Sequence, residues 1–452
     1  MTRLLTAMVF IMSAISLPRV AAGYGRELVE QITHVYQYHI YLTAGDTHTF
    51  YTTNLSTGSD TIMHLWSEVI DDQVAWDDDG GQGVASAITY TPTITGWYRV
   101  IVRAYGESSG TCDLFDFRTL LQASLFFGGV QLPDVGGSGS SIFPGDTVHT
   151  ALSPGGVEDT VLFGLDGSRN LRVINDDDIG YASKISSPVR LAWIVVGTYS
   201  SSESGATYVI LNDHSADADG DGLGPQLEAT LCTCDSLTGA PCGWSCSDGS
   251  VKNPKDSDND GIRDDYEVLG REATSSPGDF AQHLPRWGAN PVRKDVFVEL
   301  DVHGQLQTSE TGAANAASTY IRPNTATSVK NRDGSDGIVF HFDIGKNNLN
   351  DPAETTYGDW GGHTSGLNCE VDSYKTPNDQ LFVPSRRGIF RYALACTPWG
   401  GGQGFAPGAR ASYGADLWAA NHEHGHNLGL QHWGQDSAGI KNSKPNYPSL
   451  MN

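Results

Sequence analysis

The pattern of hydrophobic and polar positions changes its period along the chain. Up to about residue 212, short runs alternate apolar and polar side chains, as at 47–51, with Gly and Asp turns between them. A period of two residues is typical of half-buried strands, so this half predicts antiparallel β-sandwiches. Past residue 290, β-runs at 295–302, 337–342 and 390–394 precede a helical pattern that begins near Ala415. The second half therefore predicts an α/β (α+β) domain.

The β-rich half contains an internal repeat with a period near 100 residues. The Gly-Asp-Thr triplet at 45–47 recurs at 145–147, and the acidic triplet at 77–79 recurs at 176–178. A repeat of this length indicates two similar folding units in succession. With 452 residues, the whole chain is long enough for two to four domains.

The first copy carries the motifs GDT, DDDGG and TPTITGWYRVIVRAY. On these motifs it resembles the bacterial pre-peptidase C-terminal domain, a small β-sandwich attached to secreted peptidases. The resemblance implies one sandwich at 23–120, and the repeat predicts a second, degenerate sandwich at 121–212. The acidic triplets have two interpretations, calcium binding or acidic β-turns, of which the β-turn is the commoner.

The first residues have the form of an export signal. Arg3 precedes an apolar stretch at 4–17, and small residues at 20–22 suit cleavage. This predicts a signal peptide at 1–22 and a secreted, extracellular protein. The alternative is an N-terminal membrane anchor, but the apolar run is short and ends at Pro18. Because no other segment approaches the roughly 20 apolar residues of a spanning helix, no membrane span is expected.

Charge and cysteine content narrow the class of protein further. The formal net charge of −25 argues against a nucleic-acid partner, because phosphate binding needs clustered Lys and Arg. Four of the seven cysteines lie within 232–246, which predicts disulfides in an exported chain, with a zinc knuckle as the alternative. Cys369 and Cys396 form a candidate second pair. Cys112 is left over, either free or used between chains.

Two acidic loops match the pattern D-x-[DN]-x-[DN]-G-x5-E in full. Calcium binds six to eight hard oxygens, and this spacing wraps carboxylates around one ion, with Gly at position 6 for the sharp turn. Similar loops occur in thrombospondin type 3 and dockerin repeats. We therefore expect a calcium-stiffened, disulfide-stapled linker at 213–270, with structural rather than sensory ions. The expected Ca²⁺ ligands are Asp217, Asp219, Asp221 and Glu228 in the first loop and Asp256, Asp258, Asp260, Asp264 and Glu267 in the second.

The helical segment near the end of the chain contains a zinc-site pattern. His422 and His426 are four residues apart, so they share one helix face and can reach one Zn²⁺ ion. Glu423 lies beside that metal and is placed to take a proton from bound water. Gly429 permits a left-handed turn that would bring His432 round as a third ligand. Three protein ligands leave one position open, which is typical of a catalytic site.

This HExxHxxGxxH segment resembles the metzincin clan of zinc metallopeptidases. The ending KPNYPSLMN matches its Met-turn with Met451, and KDVFVELDV, GIVFHFDIG and FRYAL resemble secreted bacterial members. The resemblance implies a catalytic domain at 271–452 with a twisted sheet, an active-site helix and endopeptidase activity. Metzincins continue past the Met-turn, so the domain is expected to be truncated. His424 replaces a residue that is usually apolar and is expected to be a surface or supporting histidine.

The sequence as a whole predicts a secreted zinc-dependent endopeptidase that acts on a protein or peptide substrate, with Glu423 as general base. One alternative is a calcium-dependent adhesive or matrix-binding protein with a vestigial peptidase domain, which the β-domains and acidic loops also fit. Another is a zinc hydrolase that acts on mucin-linked glycopeptides.

Overall fold

The structure is a computed structural model. It describes residues 25–106, 109–133, 142–213, 215–247, 249, 251–272, 282–303, 329–343, 362–364, 382, 386–395, 402–404, 408–413 and 417–430. This part of the chain is mostly β, with four antiparallel sheets and one mixed sheet. The prediction of a β-rich, multi-sheet protein is confirmed. The predicted signal peptide at 1–22 lies outside the described residues.

Sixteen strands build the first part of the molecule. They are β1 (Gly25–Ile32), β2 (Tyr36–Leu42), β3 (His48–Thr53), β4 (Thr61–Ser67), β5 (Asp72–Asp77), β6 (Ala87–Tyr90), β7 (Gly96–Ala104), β8 (Gly110–Asp116), β9 (Thr119–Phe127), β10 (Val130–Pro133), β11 (Thr147–Leu152), β12 (Thr160–Leu165), β13 (Leu171–Asn175), β14 (Lys184–Ser186), β15 (Trp193–Thr198) and β16 (Gly205–Asn212). They form two sandwiches of two four-stranded sheets each.

The first sandwich runs from β2 to β9. Its sheets have the orders β2-β7-β4-β5 and β6-β3-β8-β9. The inward positions of both sheets alternate with outward ones, so Phe50, Leu114 and Phe127 meet Met63 and Val100 in one buried core.

The second sandwich takes its edge strand from the start of the chain. Its sheets have the orders β1-β16-β11-β14 and β10-β15-β12-β13. Residues 25–29 of β1 pair antiparallel with β16, and Val29 and Ile32 are buried in the second core. The predicted boundaries were therefore wrong in two respects. The segment 25–32 belongs to the second sandwich, and the first sandwich extends to Phe127 rather than 120.

The two sandwiches are stacked face to face. Trp66 and Ile101 project from the first sandwich into an apolar layer shared with Phe163 and Val195 of the second. The four sheets therefore form four layers with three buried apolar interfaces. The first sandwich is an insertion between β1 and β10 of the second, and not a free-standing neighbour.

The acidic linker packs on the outermost sheet through two short helices. These are α1 (Pro225–Leu231) and α2 (Asp264–Val268), which follow the first and second acidic loops. Leu227 and Val268 pack against Ala151 and Ile210 on the outer face of that sheet. The linker is thus part of the packed molecule.

A mixed sheet and a helix form the last part of the described chain. Ile262 of the second acidic loop is buried in one cluster with Phe297 and Phe390 of this sheet, so the predicted boundary at 270 divides a packed core. The elements are β17 (Asp295–His303), β18 (Val339–Asp343), β19 (Gly362–Thr364), β20 (Phe390–Ala395), β21 (Gly402–Gly404), β22 (Arg410–Tyr413) and α3 (Leu417–Asn427). The sheet order is β18-β17-β20-β22-β21, and β19 also pairs with β17; only β21 is antiparallel to its neighbour.

Among the described residues, no helix has both the length and the apolar character needed to cross a bilayer.

Candidate metal centres

Helix α3 brings three predicted zinc-site residues together. The metal-binding atoms of His422, Glu423 and His426 lie within 4.8 Å of one another. The two Nε2 atoms of the histidines are 3.2 Å apart, and their rings are nearly perpendicular. This follows from the four-residue spacing, which stacks both imidazoles on one face of the helix.

A turn at the end of α3 fixes the tautomer of His426. The Nδ1 atom of His426 is 2.8 Å from the carbonyl oxygen of Leu430. Since a carbonyl only accepts, Nδ1 is the protonated nitrogen of the neutral ring, which leaves the Nε2 lone pair available to a metal. Leu430 is held there because Gly429 has φ +91° and the amides of both residues bond back to the last helical turn. The predicted left-handed turn at Gly429 is confirmed.

These histidines fit a zinc ion. Two nitrogens that bind one tetrahedral zinc at about 2.0–2.1 Å lie about 3.3–3.4 Å apart, close to the observed spacing of 3.2 Å. A carbonyl that accepts from the far nitrogen is the usual partner of a metal-binding imidazole. The third predicted ligand, His432, and the predicted Met-turn residue, Met451, lie outside the described residues.

Glu423 is buried beside the histidines and covered by β21. Its exposed fraction is 4%, and burial raises the pKa of its carboxyl, although His422, His426 and the Gly404 amide lower it. A Cβ atom on Gly402 would lie 2.5 Å from Cγ of Glu423. The close approach of β21 therefore needs glycine at this position, a contact that no local sequence signal marks.

Polar contacts anchor the end of α3 to the sheet. Arg391 of β20 donates to the carbonyl oxygens of Asn427 at 3.0 Å and Gly408 at 2.6 Å, and Asn427 donates to the carbonyl oxygen of Arg410. A cation at the carboxyl end of a helix also offsets the helix dipole. Sequence reasoning missed Arg391 because the contact joins residues that are distant in the chain.

His424 is a core residue and does not face the other histidines. It is 2% exposed, and its ring packs between Phe340 and Phe342 of β18 at centroid distances of 5.7 and 5.8 Å. Burial lowers its pKa to about 3. Of the two expectations for His424, a surface or a supporting residue, the surface position was wrong, because the side chain lies about 200° around the helix from His422 and His426 and so faces the sheet.

The two acidic loops have matching backbone geometry. In each loop the first Asp accepts a hydrogen bond from the amide at position 6, and the fifth-position Asp accepts from the amide at position 7; the first Asp also accepts from position 4 in the first loop and from position 5 in the second. Gly222 and Gly261 at position 6 have φ of +100° and +98°, as the sharp turn requires. The first three carboxylates of each loop converge: Asp217, Asp219 and Asp221 in one, and Asp256, Asp258 and Asp260 in the other.

The twelfth-position glutamates are buried with unpartnered oxygens. Glu228 is 1% exposed and Glu267 is 0% exposed, and both oxygens of each have no hydrogen-bond partner among the described residues. Burial, with the charges of Asp221 and Asp219, raises the pKa of Glu228 to about 10. Buried, crowded carboxylates are unfavourable unless a cation compensates them, so both loops fit the predicted Ca²⁺.

Asp264 and Asp295 differ from the predicted ligand set. The structure does not bring Asp264 into either group of converging atoms; its carboxylate accepts from the amide of Ser257 at 2.9 Å and from its hydroxyl at 2.6 Å. Asp295, at the start of β17, instead lies within 4.8 Å of Asp260 and Glu267. The sequence pattern missed it because it lies 28 positions beyond Glu267.

The cysteine cluster forms two disulfides. Cys232 bonds Cys242 and Cys234 bonds Cys246, so the prediction of disulfides is confirmed and the zinc knuckle is excluded. Cys112 is free and buried in the first core, and burial raises the pKa of its thiol to about 12. Of the two alternatives for Cys112, the free thiol is therefore confirmed, and the disulfide bond between chains was wrong. The proposed pair of Cys369 and Cys396 lies outside the described residues.

The acidic triplet of the first sandwich includes a turn. Asp77 accepts from the amides of Gly80 and Ala87 at 2.7 and 2.8 Å, as expected of an acidic β-turn. Asp78 and Asp79 converge with Asp60 within 4.8 Å. The turn interpretation holds for Asp77, and the calcium interpretation of the triplets stays a prediction.

No known family model matches this chain, and no curated protein is detectably similar to it.

Proposed function

We propose that this protein is a secreted zinc-dependent endopeptidase of metzincin type, with structural calcium in its two acidic loops. The observation that carries the proposal is the facing pair of Nε2 atoms on His422 and His426, with the Glu423 carboxylate beside them. When bound, zinc supplies a Lewis acid that lowers the pKa of water towards about 7 and polarises the scissile carbonyl.

Glu423 acts as the general base in this proposal. It accepts the proton of the attacking water and passes it to the leaving amine. Its burial raises its pKa and so makes it a better proton acceptor. His422 and His426 hold the metal, and the Leu430 carbonyl orients His426.

The position of β21 supports an extended peptide as the substrate class. Among the described strands, β21 pairs only with β22, so its other edge is unpaired. The strand lies against Glu423 and His426, as the close approaches of Gly402 and Gly404 indicate. An extended peptide can add to such an edge through main-chain hydrogen bonds, which would bring its carbonyls beside the catalytic groups.

The test is cleavage of a broad peptide library by the secreted protein with zinc and calcium, beside the Glu423→Gln variant. We expect the variant to lose about 10²–10⁴-fold in kcat while its zinc content stays at the wild-type level. Glu68→Gln is the matched control, since Glu68 pairs with Arg99 in the first sandwich. Unimpaired cleavage by Glu423→Gln, or loss of its zinc, would contradict the assigned role.

Zinc binding is tested separately by metal analysis of His422→Ala and His426→Ala. Each variant is expected to lose zinc and activity together, whereas His39→Ala, at an exposed site in the first sandwich, keeps both. A protein that binds zinc through these histidines and cleaves no peptide would overturn the proposal. That result would favour a calcium-dependent adhesive protein.

A further inference from the structure

Three carboxylates, one half-buried and two fully buried, meet where the second acidic loop reaches the start of the mixed sheet. Asp260 belongs to the second acidic loop, Glu267 to α2 and Asp295 to β17, and their oxygens lie within 4.8 Å of one another. Glu267 is 0% and Asp295 is 2% exposed. Burial raises the pKa of Glu267 well above its usual value, and the charges of Asp260, Asp258 and Asp295 raise it further.

The two buried oxygens of Glu267 indicate that this group binds a cation. Among the described residues, neither Oε atom of Glu267 has a hydrogen-bond partner, whereas the Asp295 carboxylate has one in His341, at 2.7 Å. Leaving a buried carboxylate without a donor or a cation is strongly unfavourable, because the charge loses its hydration and gains nothing in return. A hard divalent ion with oxygen ligands fits this arrangement.

Hydrogen bonds to three other residues fix the position of Asp295. Its Oδ1 accepts from Nε2 of His341 at 2.7 Å, its Oδ2 accepts from the amide of Asn290 at 2.9 Å, and its own amide donates to Oδ2 of Asp260 at 2.7 Å. Each carboxylate oxygen has a second lone pair. Metal-binding carboxylates are commonly oriented by such hydrogen bonds.

We propose that Asp295 is a ligand of the calcium ion in the second acidic loop, so that one ion ties the linker to the first strand of the mixed sheet. The site then combines loop carboxylates with the Glu267 and Asp295 carboxylates, which moves it towards the six to eight oxygens that calcium takes. This inference rests on the calcium ion proposed above for the second loop, but not on the proposed hydrolysis.

The calcium ion would stabilise the sheet that carries α3. His341 stacks on Phe297 of β17 at 4.5 Å, and its neighbours Phe340 and Phe342 contact His424 of α3. Ile262 of the loop packs in the same core as Phe297. An ion that fixed Asp295 would therefore stabilise β17 and β18, and through them the helix that carries the histidine pair. The first loop packs on the second sandwich through Leu223 and Leu227, and it reaches the second loop through hydrogen bonds that Lys255 and Arg263 donate to the carbonyl oxygens of Gly220 and Asp221.

The first test is amide hydrogen exchange of the full secreted protein, in calcium and in a calcium chelator. We expect calcium to slow exchange in β17 and β18 as well as in the loop at 256–267. Protection confined to the loop would overturn the proposal. This measurement needs no substitution and no peptidase activity.

The second test is the calcium affinity of Asp295→Asn by titration calorimetry. We expect one of two calcium sites to weaken by about 10–100-fold, because the variant loses a charged ligand and keeps its shape. Asp217→Asn assigns the other site to the first loop. Asp333→Asn, at a partly exposed carboxylate paired with Arg293, is the control and leaves both affinities unchanged. Unchanged affinity in folded Asp295→Asn would overturn the proposal, and if this variant does not fold, the exchange measurement decides.

Discussion

The two β-sandwiches have the same strand order but differ in the source of one edge strand. The sheet β2-β7-β4-β5 corresponds to β10-β15-β12-β13, and β6-β3-β8 corresponds to β14-β11-β16. The last strand of the second sheet is β9 in the first sandwich, which directly follows β8. In the second sandwich that place belongs to β1, which precedes the whole first sandwich in the chain.

This difference shows how the chain joins its β half to its linker. Because β1 fills the edge beside β16, the chain can leave β16 directly into the first acidic loop, whereas in the first sandwich it turns back into β9. Asn212 at the end of β16 donates to the carbonyl oxygen of Gly222 at 2.9 Å and accepts from the amide of Gly224 at 2.7 Å. Closing the second sandwich requires a contact between residues about 180 positions apart, which is expected to be a late folding step.

The largest expected effects come from truncating one buried side chain in each core. Ile32 at the end of β1 is fully buried in the second core, and Phe127 at the end of β9 is fully buried in the first. We expect Ile32→Ala to cost about 2–5 kcal/mol and Phe127→Ala about 3–5 kcal/mol, from lost burial and the cavity left. Native-state hydrogen exchange locates each loss.

For Ile32→Ala, faster exchange is expected in β11 and β16, and for Phe127→Ala in β3 and β8. Faster exchange in the first sandwich for Ile32→Ala would contradict the assignment of β1 to the second.

The next largest effect comes from a buried polar network that is repeated, with equivalent residues, in each sandwich. Ser86 is buried and donates to the carbonyl oxygen of Thr61 at 2.7 Å, while its amide donates to the hydroxyl of Thr52; Ser183 makes the same bonds to Thr160 and Thr150. Replacing either serine by alanine leaves a buried carbonyl without its hydroxyl donor. We expect each variant to lose about 1–3 kcal/mol in its own sandwich.

The opening free energies of these serine variants are measured by hydrogen exchange, with exposed Ser202→Ala as the control. Losses that differ by more than about 2 kcal/mol between Ser86→Ala and Ser183→Ala would show that the two networks are not equivalent.

Local signals account for what the sequence predicted. The repeat at 45–47 and 145–147 marks equivalent strand starts, and the spacing of His422 and His426 with Gly429 specifies one helix face and its terminating turn. These features depend on residues within one turn or strand of each other. The structure accordingly brings His422, Glu423 and His426 together as expected.

Contacts between distant segments account for what the sequence did not predict. The pattern at 25–32 is that of any edge strand, and nothing in it specifies β16 as the partner. Asp295 begins a buried strand and carries no ligand motif, and the approach of Gly402 to Glu423 joins elements that are separate in the chain. Pairing and packing of this kind depend on the assembled core rather than on local spacing.

The acidic residues that directly precede β4 and β12, Asp60 and Asp159, predict a difference in pH dependence between the two sandwiches. Burial, with the charges of neighbouring carboxylates, raises the pKa of Asp159 to about 7; the pKa of Asp60 is raised for the same reason. The unfolded chain releases this proton near pH 4, so the stability that the protonated carboxyl contributes is lost as pH rises from about 4 to 7.

Asp159→Asn should therefore raise the free energy of unfolding at pH 8 by about 1–2 kcal/mol, after allowance for solvent screening, and less at pH 5. Asp60→Asn should give a smaller gain. Denaturant unfolding at both pH values measures this, and a loss of stability at pH 8 in Asp159→Asn would show that the carboxylate has a compensating cation.

The smallest expected effect lies at a hairpin turn where the two copies diverge. Asp71 and Arg169 occupy corresponding turns with φ of +52° and +63°, but Asp71 is exposed while Arg169 reaches the first sandwich. Its guanidinium lies 5.0 Å from the ring centroid of Tyr105 and 3.7 Å from a carboxylate oxygen of Asp78. We expect Arg169→Ala to weaken the contact between sandwiches by about 0.5–1 kcal/mol, and Asp71→Ala to have no effect there.

A double-mutant cycle of Arg169→Ala with Asp78→Asn isolates the ion pair, and Arg169→Lys retains the charge without the planar stacking. Full additivity in the cycle would mean that the ion pair contributes nothing, and the two sandwiches would then be held by their shared apolar layer and its remaining polar contacts.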